Sequence, residues 1–553
     1  MIISGAQIVI ECLNAQKVET IFGFPGGAVI PLYDALYDAK YPMKHYRTCH
    51  EQGAVHAADG YARTTGKVGV CIVTSGPGAT NTITGIATAY MDSMPLVIIT
   101  GQVGRPLIGR DSFQEVDITA MTLTITKHCE MVKTVDQIES TLMRAFEIAR
   151  SGRPGPVLID IPKDIMTQMA EYRGETNEHK HMASSLDIDA IEVAVDALKK
   201  AKNPVILAGG GIGISGASDV LNEFAIRSNI PVVNTLMGSG AFPQSHQLSY
   251  GLIGMHGSVE ANNCISNADV ILAVGARFSD RVISASDKFC SDAKIIQVDI
   301  DINEVGKNKE IMYPIVGDVK DVLTMISEKL SGYSWPPLSM KGQEKELDHK
   351  AKQMLSAIRR TFGEDTIVVT EVGQHQMWTA QYYGFEKPRK FITSGGLGTM
   401  GFGLGAAIGA QIGNPEQTVV HIAGDGSFKM NSNELGTVSK YNIPLKTFVF
   451  NNNALGMVRQ WQRLFCDARF SETDGDDSVD FVKLAEAYGI DGYRVRSIDE
   501  LEAVLEKIKS TKRPVVVDCI IDHDENVYPI IPPGKGITEM VTAFEIIKSE
   551  VRL

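Results

Sequence analysis

At 553 residues the chain is longer than one hydrophobic core supports, and domains of about 100–200 residues predict three or four units. Hydrophobic residues make up 44% and charged residues 22%, a soluble globular composition that excludes a disordered or fibrous chain. Fifty-three basic against 66 acidic residues leave a net charge of −13, which repels a phosphate backbone or an anionic membrane and excludes nucleic acid and membrane as expected partners.

The eight cysteines form no CxxC pair and read as reduced thiols, most of them small buried apolar residues. The start of the chain lacks a basic segment followed by an apolar run and a cleavage site. No apolar stretch reaches the roughly 18 residues of a membrane span. A cytoplasmic location is expected, with prior removal of an organellar targeting peptide left open.

In chain order, apolar runs rich in Val and Ile recur, each followed by a Gly-rich turn and then by helical periodicity. They are VGVCIVTSGPG, PLVIITGQ and PVLIDIP; PVILAGGG, DVILAVGAR and KIIQVDID; and TIVVTEVG, TVVHIAGDG, LKTFVFNNN and PVVVDCIID. Strands covered by helices on both faces are apolar throughout, so the pattern predicts α/β architecture with three doubly wound parallel sheets. Two stretches, about 171–185 and 331–352, turn polar and lose the strand signal, and read as linkers. They divide the chain into units near 1–170, 186–335 and 350–553.

In the first unit, Glu51 stands at the start of an expected helix in RTCHEQGAVHAADGYA, a place where the helix dipole favours any acidic residue. TSGPGAT follows a strand, and carboxyl strand ends of doubly wound sheets gather ligands on exposed backbone N–H groups. In the second unit, GGGIGISG fits G-x-G-x-x-G at Gly211, Gly213 and Gly216. The strand PVVNTL beyond it lacks the acidic residue that holds a ribose, so a nicotinamide dinucleotide is weakly supported.

The third unit carries AGDGSFKMNSNELGTVSKYNIPLKTFVFNNNALG. A strand ends in the turn Gly424-Asp425-Gly426, a helix follows, and 24 positions separate Gly426 from Asn451 at the end of a second strand. A diphosphate needs a divalent cation between its oxygens, and magnesium takes carboxylate and carbonyl oxygens in octahedral geometry. Asp425 and an Asn side chain supply such ligands, and the flanking glycines let backbone approach a phosphate.

This segment matches the thiamine-diphosphate signature. With GFPGGAVIPLYDAL, HEQGAVHAADGYAR, VTSGPGATN, FQEVDI, RPGPVLIDIPKD, GMHG, GARFSDRV, SGGLGTMGFGL, GMVRQWQ and NVYPIIPPGKGITEM, the chain resembles the large catalytic subunit of acetohydroxyacid (acetolactate) synthases, the biosynthetic FAD-containing type, over nearly its entire length.

The resemblance implies three domains, which bind the cofactor pyrimidine (1–170), are associated with FAD (186–335) and hold the diphosphate and magnesium (350–553). It implies Asp425, Asn452 and the Ala454 carbonyl as Mg2+ ligands. The triple Asn leaves Asn452 and Asn453 as alternatives; Asn452 is preferred because Gly456-Met457-Val458 then falls at the family spacing. Gly398, Met400, Gly424, Gly426, Ser427 and Met457 are implied to touch thiamine diphosphate. Glu51 is implied to hold the pyrimidine ring nitrogen, favouring the tautomer that lets the cofactor deprotonate its own thiazolium carbon. Glu51 and Asp425 are implied to meet across a dimer interface, one from each subunit.

Gly209, Gly210, Gly211, Arg277, Asp299 and Asp318 fall on FAD positions. Gly27, Phe113, Gln114, Lys163, Met255, Asp280, Arg281 and Trp461 fall on positions lining the substrate channel, Arg281 gripping the acceptor's carboxylate and Trp461 reading its alkyl group. Without the family, Arg281 reads as a surface ion pair and Trp461 as a core aromatic.

The implied reaction condenses pyruvate, with loss of carbon dioxide, onto a second pyruvate or 2-oxobutyrate, giving 2-acetolactate or 2-aceto-2-hydroxybutyrate for branched-chain amino acids. Implied partners are a second copy, as a homodimer or dimer of dimers, and a small regulatory subunit. A related pyruvate oxidase or decarboxylase and, more remotely, a NAD-dependent oxidoreductase are the alternatives. The chain departs from the family pattern at Ser279, Leu455 and Gly405, where a proline is usual and glycine is expected to loosen the helix start near Met400.

Overall fold

The computed structural model describes residues 1–174, 186–337, 349–475 and 479–543. Residues 175–185 and 338–348 of the two expected linkers lie outside the described residues. The apolar runs form three six-stranded sheets in which every neighbouring pair is parallel. Their central strands, such as Gly69–Val73, Leu96–Gln102, Val270–Val274 and Val419–Gly424, are buried almost throughout, because helices cover both faces.

The first sheet runs in space Lys44–Arg47, Thr20–Phe24, Gly69–Val73, Leu96–Gln102, Pro156–Pro162, His128–Met131. The third runs Phe391–Ile392, Ile367–Thr370, Val419–Gly424, Lys446–Asn451, Val515–Ile520, Asp491–Val495. Counted within its own unit, each has the strand order 2-1-3-4-6-5. The middle sheet differs, with Ser249–Leu252, Val232–Asn234, Pro204–Ala208, Val270–Val274, Lys294–Asp299 and Tyr313–Val316 in the order 3-2-1-4-5-6. That is the order of dinucleotide-binding folds. A two-stranded antiparallel pair, Ile2–Ser4 with Met169–Glu171, ties the start of the first unit to its end.

The first and third units share one apolar core. At its centre helix Glu51–Thr65 lies against helix Gly403–Gly413, two segments of Ala and Gly whose small side chains let the backbones touch. A Cβ on Gly60 would stand 2.0 Å from the Ala406 carbonyl oxygen, and one on Gly409 would stand 1.8 Å from that of Ala57. Gly405 belongs to the same contact, since a Cβ there would meet the His56 Cβ at 2.8 Å. The structure shows a close contact at Gly405 within helix Gly403–Gly413.

Helix Glu51–Thr65 starts where the His50 ring accepts the Gln52 N–H and ends at Gly66, whose φ of +74° reverses the chain. In its last turn Arg63, buried, pairs with Asp59 and Asp92 and donates to the Thr393 carbonyl at 2.9 Å, binding the first unit to the third. Among the described residues no helix is long and apolar enough to cross a membrane.

Candidate active site

Ligands gather where the strand order of a doubly wound sheet reverses. In the third sheet that point lies between Ile367–Thr370 and Val419–Gly424, and the second of these ends in the Gly424-Asp425-Gly426 turn. Asp425 opens helix Asp425–Asn431, is 3% exposed, and burial pushes its carboxyl up to about 6.

The neighbouring strand Lys446–Asn451 delivers the asparagines, and each does something different. Asn451 donates to Asp518 at 3.0 Å, while Asn453 has a φ of +52° and its carbonyl accepts the Gly475 N–H. Asn452 turns to Asp425: its Oδ1 stands 3.2 Å from Asp425 Oδ1 and 3.1 Å from the Ala454 carbonyl oxygen. Its Nδ2 donates to Gln374 Oε1 at 3.3 Å.

The Asn452 oxygen thus faces the Asp425 and Ala454 oxygens with no proton between, which is repulsive unless a cation lies among them. Oxygens bound to Mg2+ at about 2.1 Å are neighbours at about 3.0 Å along an octahedral edge. The donor set fits a divalent cation, which Asp425 Oδ1, Asn452 Oδ1 and Ala454 O would hold.

The loop before helix Gly403–Gly413 brings the rest of the cofactor set near. Gly398 is exposed with a φ of +72°, and the Met400 methyl lies 3.9 Å from where a Cβ of Gly426 would stand. The loop is held from the first unit, since Gly395 and Gly396 donate to Asp92 at 3.0 and 2.7 Å and Thr399 meets the Thr88 hydroxyl at 2.7 Å. Ser427 donates its hydroxyl to the Val372 carbonyl at 2.8 Å, so it braces the turn. Met457, half-buried, lies in the first turn of helix Gly456–Phe465.

His375 has no counterpart in the sequence reading. It is buried beside Gly424 with Nε2 unpartnered, and burial, with His421 nearby, lowers its pKa to about 3. A neutral imidazole at this turn has a free ring nitrogen for a ligand. GQHQM carried no spacing signal toward Asp425; only the sheet places them together.

The carboxyl edge of the first sheet holds the other group. Gly27 opens a short turn after Thr20–Phe24, and Gly76 packs on the Cα of Gln114, so the TSGPG turn and Phe113-Gln114 adjoin. Phe113 is 88% exposed, and Lys163 is exposed at the start of helix Lys163–Thr167. Glu51, half-buried, accepts from Asn81 Nδ2 at 2.9 Å. Among the described residues no hydrogen bond joins Glu51 to Asp425, Asn452 or Ser427. Glu51, at the carboxyl edge of the first sheet, and Asp425, at that of the third, thus belong to two groups of residues with separate hydrogen-bond partners.

Family models of thiamine pyrophosphate enzymes match in all three units: the N-terminal TPP binding domain over residues 3–121, the central domain over 191–326 and the C-terminal TPP binding domain over 371–519. The acetolactate synthase isozyme 2 large subunit of Escherichia coli is 44% identical over 546 residues, 97% of this chain and 99% of the relative. The probable acetolactate synthase large subunit of Methanocaldococcus jannaschii is 44% identical over 574 residues, covering 98% and 96%. The acetolactate synthase large subunit of Haemophilus influenzae is 43% identical over 562 residues, covering 98% of each. The chain belongs to the acetolactate synthase family.

In this chain the expected acceptor residues sit around the segment 525–531. Arg281, its side chain 65% exposed, has Nη1 3.3 Å from Met255 Sδ and its Nε 3.7 Å from Asp280. The Met255 carbonyl accepts the Ile531 N–H, and Gln460 is bound to Val527. Trp461 follows Gln460 and packs edge-on to Phe465, ring centroids 5.0 Å apart. Arg281 and Trp461 flank one segment without touching each other.

The six expected FAD residues lie along the carboxyl edge of the middle sheet. Gly209 and Gly211 donate to the carbonyls of Val274 and Gly275, and Gly210 starts the short helix Gly210–Ser215. The Arg277 carbonyl accepts from Asn308, Asp299 accepts the Asp301 N–H, and Asp318 caps helix Val319–Lys329. Between this edge and the first unit lies a cavity of about 410 Å³ lined by Tyr90, Lys127, Arg153 and Asp301. Arg153 pairs there with Glu304 at 2.7 Å. RPGPVLIDIP carried the arginine in plain view, but the sequence reading used the segment as a strand and a motif of the resemblance and gave Arg153 no role of its own.

Proposed function

We propose that the chain condenses pyruvate, after loss of carbon dioxide, with a second pyruvate or 2-oxobutyrate, giving 2-acetolactate or 2-aceto-2-hydroxybutyrate in branched-chain amino-acid biosynthesis. The observation that carries this reading is the Asn452 oxygen set against the Asp425 and Ala454 oxygens at the strand reversal, which suits a cation bridging a diphosphate. Thiamine diphosphate, when bound, supplies a thiazolium carbon that takes up the two-carbon unit of pyruvate.

The chain's own residues do the remainder. Gly398, Met400, Gly424, Gly426, Ser427 and Met457 line the cofactor. Glu51 holds a proton at the pyrimidine ring nitrogen, with Asn81 fixing its other oxygen. Arg281 pairs with the carboxylate of the acceptor acid, and Trp461 bounds its alkyl group. Gly27, Phe113, Gln114 and Lys163 close the channel from the first unit.

Because Glu51 and Asp425 lie in separate half-sites, a homodimer completes each site. Exposed apolar residues around the halves, including Phe113, Met121, Leu123, Met430 and Val458, are suited to burial against a second copy. The units 1–170, 186–335 and 350–553 serve as the pyrimidine, FAD and diphosphate domains. The 3-2-1-4-5-6 order of the middle sheet supports FAD there. A small regulatory subunit and a cytoplasmic location complete the proposal.

Purified protein stripped of small molecules should make acetolactate from pyruvate only when thiamine diphosphate and Mg2+ are both restored. Product formation indifferent to both would overturn the reading, and the visible spectrum before stripping reports on FAD.

A further inference from the structure

Asn is an ambiguous ligand: one end of its amide suits a cation and the other repels it, and the two ends have nearly the same shape. Something must decide which end of Asn452 faces Asp425. The answer lies behind it. Gln374 Nε2 donates to the Glu525 carbonyl at 3.0 Å and to Gln460 Oε1 at 3.0 Å. A backbone carbonyl only accepts, so the Gln374 amide is fixed with Oε1 toward Asn452.

Gln460 is fixed in the same way, donating to the Val527 carbonyl at 2.7 Å and accepting the Val527 N–H at 2.9 Å. With Gln374 Oε1 in place, Asn452 must present Nδ2 to it. The opposite rotamer would set oxygen against oxygen. All three amides are buried, at 5%, 1% and 7% exposure for Gln374, Gln460 and Asn452, so water offers no substitute partner. Gly456 leaves the space, since a Cβ there would stand 2.0 Å from Gln374 Oε1 and 2.6 Å from Asn452 Nδ2.

We propose that Gln374, held by the Glu525 carbonyl and by Gln460, is a positioning residue that turns the oxygen of Asn452 toward the cation. The inference rests on the cation reading above. Its particular mark is that it concerns which end of one amide faces the metal. A carboxylate has oxygen at both ends and needs no such orientation.

The test titrates Mg2+ into the full-length protein at fixed thiamine diphosphate, following binding by intrinsic fluorescence, with the melting temperature of each metal-free variant as the folding control. Gln374→Met should raise the half-saturating Mg2+ concentration by about tenfold or more. The double variant Gln374→Met with Asn452→Asp should recover most of that loss. Gln460→Met, which removes one of the two bonds on Gln374, should weaken Mg2+ less, and Gln460→Glu, which keeps the acceptor, less still.

Unchanged Mg2+ binding in Gln374→Met sinks the proposal. So does a loss that Asn452→Asp fails to recover, because that marks a merely structural role. If Gln374→Met fails to fold, Gln460→Met against Gln460→Glu decides. A wild-type protein that binds thiamine diphosphate without Mg2+ would instead overturn the cation reading itself, and the proposal with it.

Discussion

A carboxylate in the first turn of a helix is favoured whatever it does, so Glu51 is set apart by its neighbours, with Asn81 on one oxygen and Gly78 leaving room near the other. Glu51→Gln keeps the shape and removes the negative charge. It should lower kcat by about 100-fold or more, with Mg2+ and thiamine diphosphate binding within about threefold of wild type. Loss of cofactor binding instead of turnover would refute the assigned role. A second residue-scale expectation concerns Asp160, whose carboxyl burial raises to about 7 against hydrogen bonds from Thr100 and Gln102. In the unfolded chain this group ionises near 4. The folded state therefore holds an extra proton between about pH 4 and 7, and the stability this gives is lost as pH rises through 7. Compared with Asp160→Asn, the wild type should lose up to about 1.4 kcal/mol per pH unit across that window. A melting-temperature difference that stays constant from pH 5 to 8 would contradict it. At this scale the sequence pointed to Asp425 and to the asparagine cluster, whose spacing spans a strand, a turn and a helix, with Asn452 preferred over Asn453 only through the family spacing. It was silent on His375, Gln374 and Asp160, because strand ends adjacent in space are distant in sequence.

Ten apolar runs announced the strands that lie inside the sheets, and all six edge strands went unread. The reason is physical. Lys44–Arg47, His128–Met131, Tyr313–Val316 and Asp491–Val495 are half-buried or exposed along much of their length, Ser249–Leu252 alternates, and Phe391–Ile392 has two residues. An edge strand is not covered as its inner neighbours are, so it lacks the continuous Val/Ile signature. Thr20–Phe24, an inner strand, escaped because a five-residue run broken by Gly23 is too short to stand out. The packing of helix Glu51–Thr65 on Gly403–Gly413 was likewise hidden, although AADGYA and GLGAAIGA spell it out once paired. A methyl group has no space at Gly60 or Gly409. Gly409→Ala should destabilise the protein by about 3 kcal/mol or more, read as a lower melting temperature or loss of soluble protein. A variant melting within a degree of wild type would show that the helices part easily.

If each site is built from Glu51 of one protomer and Asp425 of its partner, two dead variants should repair each other. Glu51→Gln and Asp425→Asn homodimers each lack activity. In a mixed dimer both lesions fall in one site and leave the other intact. Random mixing after dissociation should restore roughly a quarter of wild-type activity. No recovery in verified mixed dimers would place both residues of a site in one chain. The sequence pointed to three α/β units and, through resemblance, to shared sites; it could not reveal that the outer sheets repeat one strand order while the middle sheet has another. That repetition has a historical meaning. Two sheets sharing the permutation 2-1-3-4-6-5, packed on each other through matching Ala/Gly helices, are most simply descended from one ancestral unit that paired with its own copy. On the function proposed above, one descendant would have kept the acidic metal anchor and the other a lone glutamate, so that two once identical mouths would grip the two unlike ends of a single cofactor.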